Sequence, residues 1–257
     1  MDIALTQTEI DFKNERRKVM FSAIFSVTLV LLLWIIKIYE WFFDLDLHAF
    51  ALKPRTLRGL PGIITEPLLH ADWSHLFSNS IPLFLLLMAT LYFYRGIGLR
   101  VLGYIWLFTG IGVWFFARDS YHIGASGIVY GLATFLAISG ILRHDSRLMS
   151  ISLLIIFLYG GMIWGVLPLF HHVSWESHLM GSMAGAFCAY RYRNQGPAIR
   201  RYFEDEDESL DTQVEFHEEQ MGPFPPPDFH HGHLSQNFPG GYSYSYVPKD
   251  KEEESKP

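Results

Sequence analysis

The sequence predicts an all-α polytopic membrane protein, a bundle of six transmembrane helices followed by a disordered cytoplasmic C-terminal tail. Three observations carry this. Half of the 257 residues are hydrophobic. The apolar residues gather in six runs, most of them separated only by short polar turns. Charge is segregated: residues 203–257 hold 14 Asp or Glu and 3 Lys, a net −11, so the whole-chain −6 leaves +5 on the rest. An apolar, mildly basic body with an acidic appendage is a membrane protein, not a soluble acidic enzyme, and no nucleic-acid partner is expected.

Residues 1–18 are polar, end in Lys13, Arg16, Arg17 and Lys18, and read as a cytoplasmic segment. Residues 19–192 read as the membrane-embedded domain. Its first run, Val19 to Ile36, has only Ser22, Ser26 and Thr28 among apolar residues. It is too long for a signal-peptide core, and its far end carries Trp34, Lys37, Tyr39 and Trp41 instead of small cleavage-site residues. Phe42 to Trp73 is a long connection with Pro54, Pro61, Gly62 and Pro67, apolar enough to lie partly in the membrane interface. Five further runs follow, roughly Leu76 to Tyr94, Val101 to Phe116, Gly127 to Leu142, Met149 to Leu167 and Trp175 to Tyr192. Several are near the short limit for a span of about 20 residues, and the short turns make neighbouring helices antiparallel.

Lys and Arg set the orientation. Alternate turns and both ends of the body carry twelve of them: Lys13, Arg16, Arg17, Lys18, Arg95, Arg100, Arg143, Arg147, Arg191, Arg193, Arg200 and Arg201. The other side has Lys53, Arg55, Arg58 and Arg118, with Lys37 at the interface. Both termini are therefore expected in the cytoplasm, in a bacterial inner membrane. Residues 193–257 begin in a basic strip suited to a membrane surface. They continue as an acidic stretch, a Pro-rich stretch (Pro223 to Pro227), a cluster of His230, His231 and His233, and a Tyr/Ser/Gly-rich end. That composition cannot bury enough apolar surface to fold alone, no defined metal site is expected in it, and it identifies no partner. The single cysteine, Cys188, lies in an apolar run and excludes an intrachain disulfide.

The chemistry sits in three stretches. Gly124-Ala125-Ser126-Gly127 opens the fourth run, where glycines leave the Ser126 hydroxyl uncovered. His70, His75 and Asn79 flank or open the second run, and His178, Gly181 and Gly185 open the sixth. The even-numbered helices all start on the extracytoplasmic side, so His75, Ser126 and His178 share a depth, where ionisable groups normally face a bundle interior or a water cavity. Gly127 and Gly131, and Gly181 and Gly185, are each four apart, a spacing that lets helix backbones approach. If the two glycine faces meet, Ser126 and His178 come within hydrogen-bond reach. A neutral imidazole can then take the serine proton during attack on a peptide carbonyl and return one to the leaving amine. His75 and Asn79, four apart on one helical face, and the Ser126 N–H are candidate oxyanion donors. Tyr130, one turn below Ser126, is placed to pack on the imidazole. No third acid is obvious: Glu176 is offset by two from His178, Asp119 lies at the outer edge of its loop and Asp72 precedes the second helix.

These residues resemble the rhomboid family of intramembrane serine proteases over roughly Pro54 to Ala189. Gly124-Ala125-Ser126-Gly127 is similar to the family's G-x-S-G nucleophile motif. His178, Gly181 and Gly185 are similar to its H-x-x-G-x-x-x-G helix, and His70, His75 and Asn79 to its H-x-x-x-x-H-x-x-x-N element. The resemblance implies Ser126 as nucleophile, His178 as base, His75 and Asn79 in the oxyanion role, Tyr130 stacked on the base, and a six-helix bundle around a short fourth helix entered laterally by a substrate's transmembrane segment. The expected partners are single-span membrane-protein substrates and the lipid bilayer, with no cofactor or metal. Where the family's first loop often carries a Trp-Arg pair, this chain has Lys53-Pro54-Arg55.

Other readings make different demands. Ser126 as a packing residue leaves the other motifs unexplained. His70 is read as a structural brace, His171 and His172 as solvated or interfacial, and Phe77, Trp164 and Leu167 as ordinary packing residues near a possible substrate entrance. A non-proteolytic binder of membrane helices would do without Ser126 or His178. A transporter would string ionisable groups through the membrane. A zinc protease using His70, His75 and His178 lacks the H-E-x-x-H helix.

Overall fold

The computed structural model describes residues 7–158, 164–169 and 174–196, all within one compact unit, Met1–Arg200. His171, His172, the acidic tail and its histidine cluster lie outside the described residues. Seven α-helices are present among the described residues, with no strand. Four of them, α1 (Gln7–Phe42), α3 (Trp73–Phe93), α4 (Gly98–Phe116) and α5 (Ser126–Arg143), are long and apolar enough to cross a membrane. The other long elements are α6 (Ser146–Leu158) and α7 (Trp175–Arg191); α2 (Gly62–Thr65) is a single turn.

Helix α1 runs well beyond the expected first span. At 36 residues it is about 54 Å long, enough to cross a bilayer core of about 30 Å and project from it. Most of its apolar side chains are exposed, as befits an edge helix in lipid. Without a hydrophobic drive between helices, its attachment to α3 relies on packing and polar ties. Trp34 Nε1 donates to Ser80 Oγ at 3.0 Å, and Tyr92 Oη donates to Glu15 at 3.0 Å. Such interhelical bonds contribute about 0.5–2 kcal/mol each. Lys37, expected only as an interface residue, is paired with Glu40 at 2.8 Å and donates to the carbonyls of His70 and Ala71 at 2.9 and 3.1 Å. It fastens the end of α1 to the stretch that enters α3.

The long connection is a compact loop of 3₁₀ turns (Leu47–Phe50, Leu57–Gly59, Glu66–Leu68) and α2. Its buried anchors are Ala51 and Leu52, and Leu52 forms an isolated antiparallel bridge with His122. Arg55 secures the region that departs from the Trp-Arg pattern. Its N–H donates to the Trp114 carbonyl at 3.0 Å and its guanidinium to the Ala117 carbonyl at 2.5 Å, so it caps the end of α4. Trp114 Nε1 returns a bond to the Thr56 carbonyl at 3.1 Å. Phe50, Leu57 and Ile64 remain exposed.

Helix α5 is the central element. It is apolar on nearly every face and buries Ile128, Leu132, Phe135 and Leu136, the pattern of a helix surrounded by others. It packs most extensively on α7 through paired glycines. A Cβ on Gly181 would land on the Gly127 carbonyl oxygen, and one on Gly185 on the Gly131 carbonyl oxygen. Of the expected fifth run, Met149 to Leu167, the described residues form α6 as far as Leu158 and a 3₁₀ turn at Trp164–Val166.

Candidate active site

Ser126 is the first residue of α5. The turn that delivers it needs Gly124, whose φ of 116° is a conformation that L side chains rarely adopt. Two bonds hold this turn. The Gly124 N–H donates to the Glu66 carbonyl at 2.9 Å, and the Ala125 N–H donates to His70 Nε2 at 3.4 Å. His70 therefore acts as a brace. Burial, followed by the nearby His75 and Lys37, holds its pKa down at about 3, so it stays neutral and its Nε2 stays an acceptor.

His178 lies in the second turn of α7 and meets Ser126 across the glycine seam, with Nε2 2.8 Å from Ser126 Oγ. Its Nδ1 is 2.8 Å from the Gly165 carbonyl. A carbonyl only accepts, so Nδ1 carries the proton and Nε2 is the free base facing Ser126. Tyr130 stacks on the imidazole with ring centroids 4.1 Å apart and planes 7° from parallel. Gly165 is needed for this fit: a Cβ there would strike the Tyr130 hydroxyl and come within 3.0 Å of His178 Nδ1.

His75 and Asn79 face Gly124 from α3. A Cβ on Gly124 would stand 2.7 Å from His75 Nε2 and 3.6 Å from Asn79 Nδ2. Asp72 caps α3 by accepting the His75 N–H at 2.8 Å. Asn79 Nδ2 is buried and has no hydrogen-bond partner among the described residues. An unpaired buried donor costs about 1–3 kcal/mol, and this one stands beside the nucleophile turn. Ser126, His178, His75, Asn79, Tyr130 and Gly124 are thus drawn into one site. Phe77, Trp164 and Leu167 remain exposed nearby in sequence.

Among the described residues no carboxylate is hydrogen-bonded to His178 Nδ1. Glu176 turns to Arg118, accepting its N–H at 3.3 Å with the guanidinium Nε at 3.6 Å. Asp119 pairs with Lys53 at 2.6 Å. The group at Nδ1 is the Gly165 carbonyl, which sequence reading did not supply because every residue has a backbone acceptor. Glu66 was missed as well. It is buried, its carboxylate accepts from Ser177 Oγ at 2.5 Å, and burial pushes its pKa up to about 7 against the smaller opposing effect of that bond. A lone ionisable residue in the apolar stretch from Gly59 to Leu69 is the signal that marks it.

Among the described residues no three His, Cys, Asp or Glu side chains are arranged to hold a metal ion. Both His178 nitrogens and His70 Nε2 are engaged in hydrogen bonds. A model of the Rhomboid domain matches residues 58–195. Uncharacterized proteins of Mycobacterium bovis and Mycobacterium tuberculosis are 34% identical over 175 residues, covering 64% of this chain and 72% of each relative. An uncharacterized protein of Mycobacterium leprae is 30% identical over 189 residues, covering 69% of this chain and 74% of its own.

Proposed function

The chain belongs to the rhomboid family of intramembrane serine proteases and is a multi-pass membrane protein, and on that premise we propose that it hydrolyses a peptide bond of single-span membrane proteins near the extracytoplasmic face. The observation that carries this is the 2.8 Å approach of His178 Nε2 to Ser126 Oγ. Ser126 attacks the carbonyl carbon as His178 takes its proton, and His178 then protonates the leaving amine. The Gly165 carbonyl holds the imidazole in its productive tautomer and accepts from the imidazolium, the part a carboxylate plays in a triad. Asn79 Nδ2, His75 and the Ser126 N–H stabilise the oxyanion at the amino end of α5, where the helix adds positive potential. Water then releases the acyl group through a cavity open to the outside, since charge development in lipid is costly.

A scissile bond must be extended to reach Ser126, so small and helix-destabilising residues near the cut are favoured. α6 and α7 complete six spans with the four longer helices. Both termini lie in the cytoplasm, and the membrane is the bacterial inner membrane. A reporter fused to the carboxyl end is expected to work only in the cytoplasm; extracytoplasmic activity overturns the orientation.

The test of the activity is reconstitution in liposomes with a single-span substrate and a serine-directed fluorophosphonate. Wild type is expected to cleave the substrate and to take up label on the peptide carrying Ser126. Folded wild type that does neither makes a non-proteolytic binder of membrane helices the better reading.

A further inference from the structure

Glu66 links the three catalytic segments. It belongs to the stretch leading into α3, which carries His75 and Asn79. Its carbonyl accepts the Gly124 N–H of the nucleophile turn at 2.9 Å. Its carboxylate accepts from Ser177, the residue before His178, at 2.5 Å. The polar contacts do not stop there. Ser174 Oγ donates to Ser177 Oγ at 2.9 Å, Ser174 Oγ lies 2.6 Å from His122 Nδ1, and His122 Nε2 lies 3.3 Å from the Arg118 carbonyl. Glu66, His122 and Ser177 are all buried.

In the neutral state every link of this chain carries a proton: the Glu66 carboxyl donates to Ser177, Ser177 to Ser174, Ser174 to His122 Nδ1, and His122 Nε2–H to the Arg118 carbonyl. Ionisation passes the protons along the chain and releases one to solvent from His122 Nε2. Ser177 then donates to the Glu66 carboxylate, Ser174 to Ser177, and the Nδ1–H of neutral His122 to Ser174, so three shared protons remain of four and only Glu66 changes charge.

We infer that Glu66 is a positioning residue for the Ser126–His178 pair, acting through Ser177 and the chain to His122, and that its carboxylate form favours turnover. This rests on the proposed activity. Among the described residues the group at His178 Nδ1 is the Gly165 carbonyl, not a carboxylate. A negative charge one residue away, against the first turn of α7, stabilises the imidazolium that forms at His178 and is favoured by the helix amino end. Burial places the Glu66 ionisation near neutrality, at about 7, and burial lowers that of His122.

Few other charges face this chain. α7 presents His178 and Glu176, and Glu176 is turned to Arg118. The segment before α5 presents Arg118 and Asp119, the latter held by Lys53. The stretch containing Glu66 presents His70, which stays neutral. α4 presents Thr109 and Gly110 at this level, and its only charged residue, Arg100, is at the opposite end. α5 likewise has only Arg143, at its far end.

The test compares wild type, Glu66→Gln and Ser177→Ala in liposomes, following cleavage and fluorophosphonate labelling from about pH 5.5 to about pH 9, a range that brackets neutrality. Glutamine keeps the shape and the bond to Ser177 but cannot ionise. Wild-type kcat is expected to rise through a step near pH 7. Glu66→Gln is expected to lack that step and stay at the acid-side rate, about tenfold below wild type at the alkaline end, with KM within about twofold. Ser177→Ala, which cuts the chain, is expected to show the same loss, and the double variant is expected to be no worse than either. A Glu66→Gln enzyme with the wild-type step overturns the inference and leaves the protease reading standing. If Glu66→Gln does not fold, a retained step in Ser177→Ala overturns it equally. Wild type that neither cleaves nor labels removes the protease reading and this inference together.

Discussion

Ser126→Ala, His178→Ala and the double variant are expected to fall to one common floor, roughly 10⁴-fold or more below wild type in kcat. The geometry gives the reason. His178 Nε2 and Ser126 Oγ share one hydrogen bond of 2.8 Å, so each is useless to the reaction without the other. Losses from residues that act as a unit do not add, and the double variant should be no slower than the singles. The oxyanion donors are untouched in all three and set the residual rate. Glu176→Gln belongs in the same experiment as a control. Its carboxylate is committed to Arg118, so the rate is expected to stay within about threefold of wild type. A floor that drops further in the double variant would mean Ser126 and His178 contribute independently, and a large loss in Glu176→Gln would restore a third acid to the mechanism.

Gly181→Ala is expected to lose about a hundredfold or more in activity by a single methyl group. The added Cβ lands on the Gly127 carbonyl oxygen, a backbone atom that cannot swing aside. α5 and α7 must separate, and overpacking of this kind costs about 1–3 kcal/mol. The larger loss is geometric. Ser126 rides on α5 and His178 on α7, and a misplacement of about 1 Å can cost about 10²-fold in rate. Gly103→Ala is the matched control: the same substitution in a helix, where a Cβ would meet nothing within 4 Å. Rates in liposomes and thermal unfolding in detergent separate the two contributions. Unchanged turnover in folded Gly181→Ala would show that the seam is not the constraint on the dyad.

Stability carries an independent sign of the Glu66 carboxyl. Its folded pKa of about 7 lies above the ordinary 4.5, so the folded state holds the proton longer. The folded protein then binds more protons than the unfolded between those values, and stability falls as pH rises through that window. Glu66→Gln has no such dependence, so the unfolding temperatures of the two proteins should diverge with rising pH across it.

The local features of the chain were readable without coordinates because they depend on residue type and spacing alone. Apolar runs place α3, α4, α5 and α7 to within a few residues, and glycines four apart identify the faces on which α5 and α7 meet. The shared depth of His75, Ser126 and His178 follows from counting spans and basic turns. The folded structure decided everything that depends on which backbone atom stands opposite a side chain. That the Gly165 carbonyl, not an acid, faces His178 Nδ1 is invisible in a sequence, since every residue offers the same acceptor. That Arg55 caps α4 depends on a loop folding back over 60 residues. That Glu66 and Ser177, 111 residues apart, share a hydrogen bond depends on the packing of α7 against the entry to α3. Sequence spacing specifies faces and depths; only the packed chain specifies pairings, because a hydrogen bond needs atoms placed to within a few tenths of an ångström.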